Sequence, residues 1–248
     1  SRKRNSWWVK IDNELKTILV ASFVLGIVFG FSDNLIAFSL RYYLANLVKF
    51  FVLSFIALLI HNKVQKYYSS KVGASTELSF WSSQKKILWF KKKITLPMGA
   101  VLPLLITLFS NGQIFFAAPT TTNVSVTPAY RLGRKFLKLT EFEYAKIAVI
   151  APLTHILIAI LFNFIDIPLL KDFALVNTMM ALSYMLPLPN LLGNTVFFSS
   201  KPLYVFSAAF ILASALLLNL LTSFYTIIAA VILALTSLFT YFWQFYKK

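Results

Sequence analysis

The pentapeptide HNKVQ at positions 61–65 has the spacing of a catalytic zinc motif but lacks most of its chemistry. In zinc hydrolases the helical motif H-E-x-x-H places two metal ligands four residues apart, and its glutamate takes a proton from the metal-bound water. Here His61 stands at the first ligand position, Asn62 at the base position and Gln65 at the second ligand position. An amide neither relays protons at neutral pH nor competes with imidazole for zinc, so the motif alone predicts an incomplete site.

Four further segments follow this pentapeptide in a characteristic order. They are KVGASTELSFW at 71–81, FFAAP at 115–119, IAPLTH at 150–155 and LPLPNLLG at 186–193. Together they resemble the archaeal-type branch of the site-2 protease family of intramembrane zinc metalloproteases. That family reads roughly H-E-L-A-H, a glycine with an A-E-F/Y strand, F-A-A-P, A-G-P-x-x-N and P-I-P-P-L-D-G. The resemblance covers residues 53–202 and rests on the order of five short motifs.

The departures from the family pattern fall on its chemistry. The family's aspartate ligand corresponds to Leu192, and the asparagine of its A-G-P-x-x-N motif corresponds to His155. Of the metal ligands that the resemblance implies, only His61 is kept, and loss of the base alone costs roughly 10²–10⁴ in rate. The resemblance therefore implies a degenerate site without catalytic residue, metal or cofactor, and a protein that is not an enzyme. The residues of that site are His61, Asn62, Gln65, His155 and Leu192.

The composition independently predicts an integral membrane protein. Hydrophobic residues make up 58% of the 248 residues and charged residues only 13%, whereas soluble domains have about 25% charged residues. The net charge of +16 comes from basic residues beside apolar segments, where anionic lipid headgroups account for it better than nucleic acid does. The absence of cysteine excludes disulfides and cysteine-based metal sites.

Seven apolar segments approach the length of a membrane span. We treat the chain as a single integral membrane domain over residues 1–248, which ends in a helical hairpin at about 203–243. The segments are 17–31, 42–61, 94–118, 144–165, 173–189, 203–221 and 225–242.

The distribution of Lys and Arg predicts the topology. All basic segments share the cytoplasmic side if segment 94–118 re-enters the membrane, which Pro97, Pro103 and Gly112 permit. We therefore expect an all-α polytopic protein with about six transmembrane helices, one re-entrant element and both termini cytoplasmic. Short cytoplasmic strands are expected near 77–80 and 124–130. A seven-span alternative would place the glycosylation sequon at Asn123 outside.

Three other features are candidates for interaction. The cations and aromatic residue in segment 84–93 indicate an interfacial anchor on anionic lipid or a protein-docking patch: Lys85, Lys86, Trp89, Lys91, Lys92 and Lys93. Gly26 and Gly30 form a G-x-x-x-G helix-packing motif, whose partner is either another subunit or this chain. Lys49 is a charge inside a predicted span; it either snorkels to the interface or has a functional role.

We expect His155 to lie near His61 if the family fold is present. A buried hydrogen bond is then a better interpretation than a metal site, because no third strong ligand accompanies the two histidines and Gln65.

Three functions are compatible with the sequence. The favoured one is a catalytically inactive homologue that acts as a membrane-embedded binding, scaffold or accessory subunit, with anionic lipid and other membrane proteins as partners. The alternatives are a transporter or channel, in which Lys49 would be central, and an enzyme with rebuilt chemistry. The resemblance suggests the plasma membrane of a prokaryote, specifically an archaeon.

Overall fold

A computed structural model describes residues 7–31, 40–86, 93–126 and 138–246. Within these ranges the chain is mainly helical, with two small sheets. The helices are α1 (Trp7–Gly30), α2 (Leu40–Lys71), α3 (Met98–Phe109), α4 (Glu141–Asn163), α5 (Pro168–Met185), α6 (Leu192–Ser199), α7 (Lys201–Leu217) and α8 (Ser223–Tyr246). The strands are β1 (Ala74–Phe80), β2 (Ser83–Lys86), β3 (Lys93–Leu96) and β4 (Thr120–Val126).

Four of the described helices are long and apolar enough to cross a membrane. They are the segment Asn13–Gly30 of α1, all of α2, all of α4 and the segment Ser223–Phe245 of α8. This confirms the predicted membrane protein with transmembrane helices. The helices α5 and α7, of 18 and 17 residues, overlap the predicted segments 173–189 and 203–221 but are not among these four helices.

The helix α2 continues ten residues beyond His61, where the predicted apolar segment 42–61 ends. The helix extends this far because its last ten residues have one buried face and one exposed face. A search for apolar residues alone does not detect that pattern, since the buried face is polar. Gln65 and Ser69 are buried one and two turns after His61, while Lys63 and Tyr67 lie on the exposed face. Because residues four apart share a helix face, these polar buried residues extend the packed side of the helix.

Segment 94–118 forms a strand end, the twelve-residue helix α3 and an irregular stretch. Pro97 precedes α3 and Pro103 lies inside it. After α3 the chain turns through Asn111 and Gly112, with φ angles of 52° and 74°. A helix of twelve residues is about 18 Å long, which is too short to cross the roughly 30 Å hydrocarbon core.

The short helix α6 was not predicted, because the segment LPLPNLLG was interpreted only as a family motif. Asn190 makes that turn with a φ of 68°, and α6 begins two residues later. Gly193 lies against the end of α5: a Cβ at this position would be 2.2 Å from the carbonyl oxygen of Met185. Only glycine permits so close an approach between two backbones.

The two predicted strands are present in the sheet that pairs β1 with β4. The predicted residues 77–80 and 124–126 belong to it, whereas 127–130 lie outside the described residues. The hydroxyl groups of Ser75 and Ser125 join the strands at 2.8 Å. The antiparallel pair of β2 and β3 contains Lys85, Lys86 and Lys93, while Trp89, Lys91 and Lys92 of the predicted anchor lie outside the described residues.

The chain divides into two compact units. The first comprises residues 1–59 and 77–123. In it α1 packs on α3, and Phe29 of α1 contacts Phe50 and Phe115 with ring centroids 5.8 and 5.2 Å away. Cβ atoms at Gly26 and Gly30 would lie 3.2 Å from atoms of Leu47, so packing against α2 of the same chain accounts for the G-x-x-x-G motif.

The second unit comprises residues 60–76 and 124–248. Its centre is α4, which packs on α5, α6 and α7, and α7 in turn packs on α8. The helix α4 begins with a capping box, in which Thr140 and Glu143 satisfy each other's backbone N–H groups. Buried alanines at 145, 148, 151 and 159 narrow α4 and allow its neighbours to approach.

Candidate functional site: a buried histidine pair

The strongest candidate for a functional centre is a chain of polar side chains inside the second unit. His61 projects from the last third of α2 and is 1% exposed, and His155 projects from the middle of α4 and is fully buried. His61 Nδ1 and His155 Nε2 are 3.0 Å apart, a hydrogen-bond distance. The expected neighbourhood of the two histidines is therefore present, although 94 positions separate them in the chain.

The chain of hydrogen bonds continues into α5. His155 Nδ1 lies 2.7 Å from Oδ1 of Asn177, and Nδ2 of Asn177 donates to the carbonyl oxygen of Phe173 at 2.8 Å. Asn177 is fully buried. Because a buried polar group without a partner is costly, each of these bonds stabilises the approach of α2, α4 and α5.

The backbone carbonyl of Phe173 determines the direction of every bond in the chain. It accepts from Asn177 Nδ2, so Asn177 Oδ1 must be the atom that accepts from His155 Nδ1. In the neutral ring His155 Nε2 then accepts from Nδ1 of His61. The network thereby assigns one tautomer to each histidine and leaves a lone pair on Nε2 of His61. That atom is buried and makes no hydrogen bond within the part of the chain that the structure describes.

The ring of Tyr184 on α5 packs against both imidazole rings. Its ring centroid lies 4.7 Å from that of His61 and 6.2 Å from that of His155, nearly parallel to the latter at 4°. The side chain is fully buried. Neither Tyr184 nor Asn177 was predicted; the only signal was a polar residue at each position within the apolar segment 173–189.

The predicted site has three further residues, of which Gln65 interacts with the imidazole of His61. Gln65 is buried on the same face of α2 as His61, and its amide donates to the carbonyl oxygen of Ile147 at 3.4 Å. Asn62 is half-buried. Leu192 is buried at the beginning of α6 as an apolar core residue.

Lys49 lies in the first unit, half-buried on α2. Its Nζ atom lies 4.6 Å from the ring centroid of Phe50, a distance at which the ammonium group is attracted to the aromatic face.

No protein-family model, curated protein or solved structure matches the chain.

The donor set around His61 does not fit the zinc ion that the resemblance to proteases would imply. A protein zinc site takes three or four strong ligands. Both nitrogens of His155 are engaged in hydrogen bonds, the amide of Gln65 is a weak zinc ligand beside imidazole, and the Leu192 side chain has no donor atom. Within the described residues no three His, Cys, Asp or Glu side chains are grouped closely enough to hold a metal ion. The arrangement is suited to joining helices by directional bonds.

Proposed function

We propose that the protein is a catalytically inactive homologue of the site-2 proteases that acts as a membrane-embedded binding or accessory subunit. The observation that carries the proposal is the bond between His61 and His155. The one ligand residue kept from the motif is bound to a second imidazole, whose other nitrogen is bound to Asn177. A polar chain that ends on a backbone carbonyl supports a role in holding the fold rather than in chemistry.

The proposal extends to topology and location. It includes six spanning helices, a re-entrant segment 94–118, cytoplasmic termini and the plasma membrane of a prokaryote, with an archaeal source suggested by the resemblance. Anionic lipid, contacted in part through segment 84–93, and other membrane proteins are its proposed partners. The shortness of α3 and the proline inside it support re-entry.

The surface of α8 supports a partner within the membrane. Only 17% of the most apolar stretch of α8 is buried within the chain, compared with 56% of the corresponding stretch of α4. Among the described residues of α8, seven large hydrophobic side chains are more than half exposed, including Ile232, Phe239 and Trp243. Residues 232, 239 and 243 share one face of the helix at intervals of seven and four, the spacing of a helix-packing seam.

Rebuilding the protease motif is the sharpest test of the assigned ancestry. We expect the wild-type protein, expressed in zinc-containing medium and washed with a weak chelator, to contain less than about 0.1 zinc per chain. The triple variant Asn62→Glu, Gln65→His, Leu192→Asp should hold about one zinc, because it restores two ligands beside His61. Metal content by mass spectrometry gives the answer.

The matched control for this experiment is the double variant Asn62→Glu, Gln65→His, which lacks the third ligand and should bind zinc at least tenfold more weakly. A triple variant that folds and binds no zinc would overturn the placement of the motifs. Stoichiometric zinc in the wild type would overturn the inactive assignment.

The subunit role is tested by extraction in mild detergent followed by quantitative mass spectrometry. We expect a companion membrane protein at a constant molar ratio, and loss of most of it when Phe239 and Trp243 are both replaced by alanine. The control pair is Leu212→Ala with Leu216→Ala, two similarly exposed positions on α7. Extraction of the chain alone would contradict the subunit role and direct attention to transport, with Lys49→Ala as the variant to assay.

A further inference from the structure

Two lysines in the second unit lie over exposed aromatic rings in the same local arrangement. On α2, Nζ of Lys71 lies 4.3 Å from the ring centroid of Tyr67; on α4, Nζ of Lys146 lies 4.3 Å from that of Phe142. Each pair is four residues apart, so each lysine lies directly above its ring on the helix surface. Tyr67 is 64% exposed and Phe142 is 51% exposed.

Both pairs lie where an apolar span ends. The apolar part of α2 ends at His61, and Tyr67 is about 9 Å further along the helix at 1.5 Å per residue. The helix α4 begins at Glu141, so Phe142 lies in its first turn. One apolar cluster contains Tyr68, Tyr144, Ala74 and Ile147. Tyr68 directly follows Tyr67 in the sequence, and Tyr144 lies two residues after Phe142. Sequence neighbours of both rings therefore pack together.

The direction of helical side chains places each ammonium group over its own ring. A side chain leans toward the N-terminus of its helix. Lys71 follows Tyr67 and leans back along α2 toward that ring, and Lys146 follows Phe142 and leans back toward the beginning of α4. A third cation, Lys63, lies one turn before Tyr67 on the same exposed face. Aromatic rings with adjacent cations are the usual residues at the headgroup level of a bilayer.

We propose that Lys63, Tyr67 and Lys71 of α2, with Phe142 and Lys146 of α4, form a basic-aromatic face that binds the headgroups of anionic phospholipids. Charge complementarity supports this assignment, because a chain of net charge +16 presents lysines and rings at the ends of two candidate spans. The rings occupy the interface, and the ammonium groups contact lipid phosphates. This surface is distinct from segment 84–93, and the inference requires only that the protein is membrane-embedded.

The test is native mass spectrometry of the full chain in detergent, titrated with phosphatidylglycerol or phosphatidylcholine. We expect tighter binding of phosphatidylglycerol to the wild type, and at least about tenfold weaker binding after Lys71→Gln with Lys146→Gln, since each lysine near an anionic surface contributes appreciably. The control pair, Lys171→Gln with Lys201→Gln, removes the same charge from exposed positions outside the face and should change the affinity less than twofold.

Two further outcomes decide the proposal. The pair Lys71→Arg with Lys146→Arg should keep the preference, because charge and ring contact are both retained. Equal loss in the glutamine pair and in its control would show a net-charge effect and overturn the proposed face. Equal affinity of the wild type for the two lipids would overturn it as well.

Discussion

Replacing His155 with alanine is expected to lower the free energy of unfolding by about 3 kcal/mol. The substitution empties a fully buried position and removes the partners of His61 Nδ1 and of Asn177 Oδ1. Hydrogen bonds between membrane helices average only about 0.6 kcal/mol each, so the emptied volume should supply the larger part. Thermal or denaturant unfolding in mild detergent measures the change.

Two comparisons separate the polar contribution from the loss of volume. His155→Phe keeps a ring but breaks both bonds, and it should cost about 1–2 kcal/mol. In a double-mutant cycle, the variant with both His61→Ala and His155→Ala should lose less unfolding free energy than the sum of the losses in the two single variants. The difference, which is the coupling energy, should be about 1 kcal/mol. The matched control is Ile156→Val, a neighbouring buried position expected to cost about 1 kcal/mol. A His155→Ala variant no less stable than this control would contradict the buried chain.

The substitution Gly193→Ala is expected to be similarly severe, at about 3 kcal/mol or more. Its Cβ would lie 2.2 Å from the carbonyl oxygen of Met185, 2.4 Å from the carbonyl carbon and 2.7 Å from the carbonyl oxygen of Leu186. All three are backbone atoms, so relief requires the end of α5 and the beginning of α6 to move apart. Unfolding in detergent measures the loss where the variant can be purified.

Gly26→Ala serves as the control for this insertion of a methyl group. Its Cβ would meet Leu47 and Phe51 at 3.2 Å, which a shift of a few tenths of an ångström relieves. We expect a change below about 1 kcal/mol, since alanine also favours the helix. If Gly193→Ala accumulates too poorly to purify, its folded yield in membranes should fall well below that of Gly26→Ala. Equal yield and stability for the two variants would contradict the close approach of α5 and α6.

Local patterns in the sequence were sufficient for much of the architecture. Apolar runs of nearly 20 residues located α2, α4 and α8, because burial in lipid depends on composition along one helix. Alternating polar and β-branched apolar residues located β4, because successive side chains of a strand point to opposite faces of the sheet. The predicted end of α2 was wrong because the packed face of its last ten residues consists of polar side chains such as Gln65 and Ser69.

The histidine centre required the tertiary structure. The sequence by itself determined that His61 stands alone in a motif that normally has two ligands and a base, because that follows from residue identity and spacing. Only the packing of α2, α4 and α5 decided that its Nδ1 atom meets His155 and that Asn177 and Tyr184 complete the surroundings. These two hydrogen bonds join residues that are 94 and 22 positions apart in the sequence, so they depend on how the helices pack against one another. A local sequence pattern does not determine that packing.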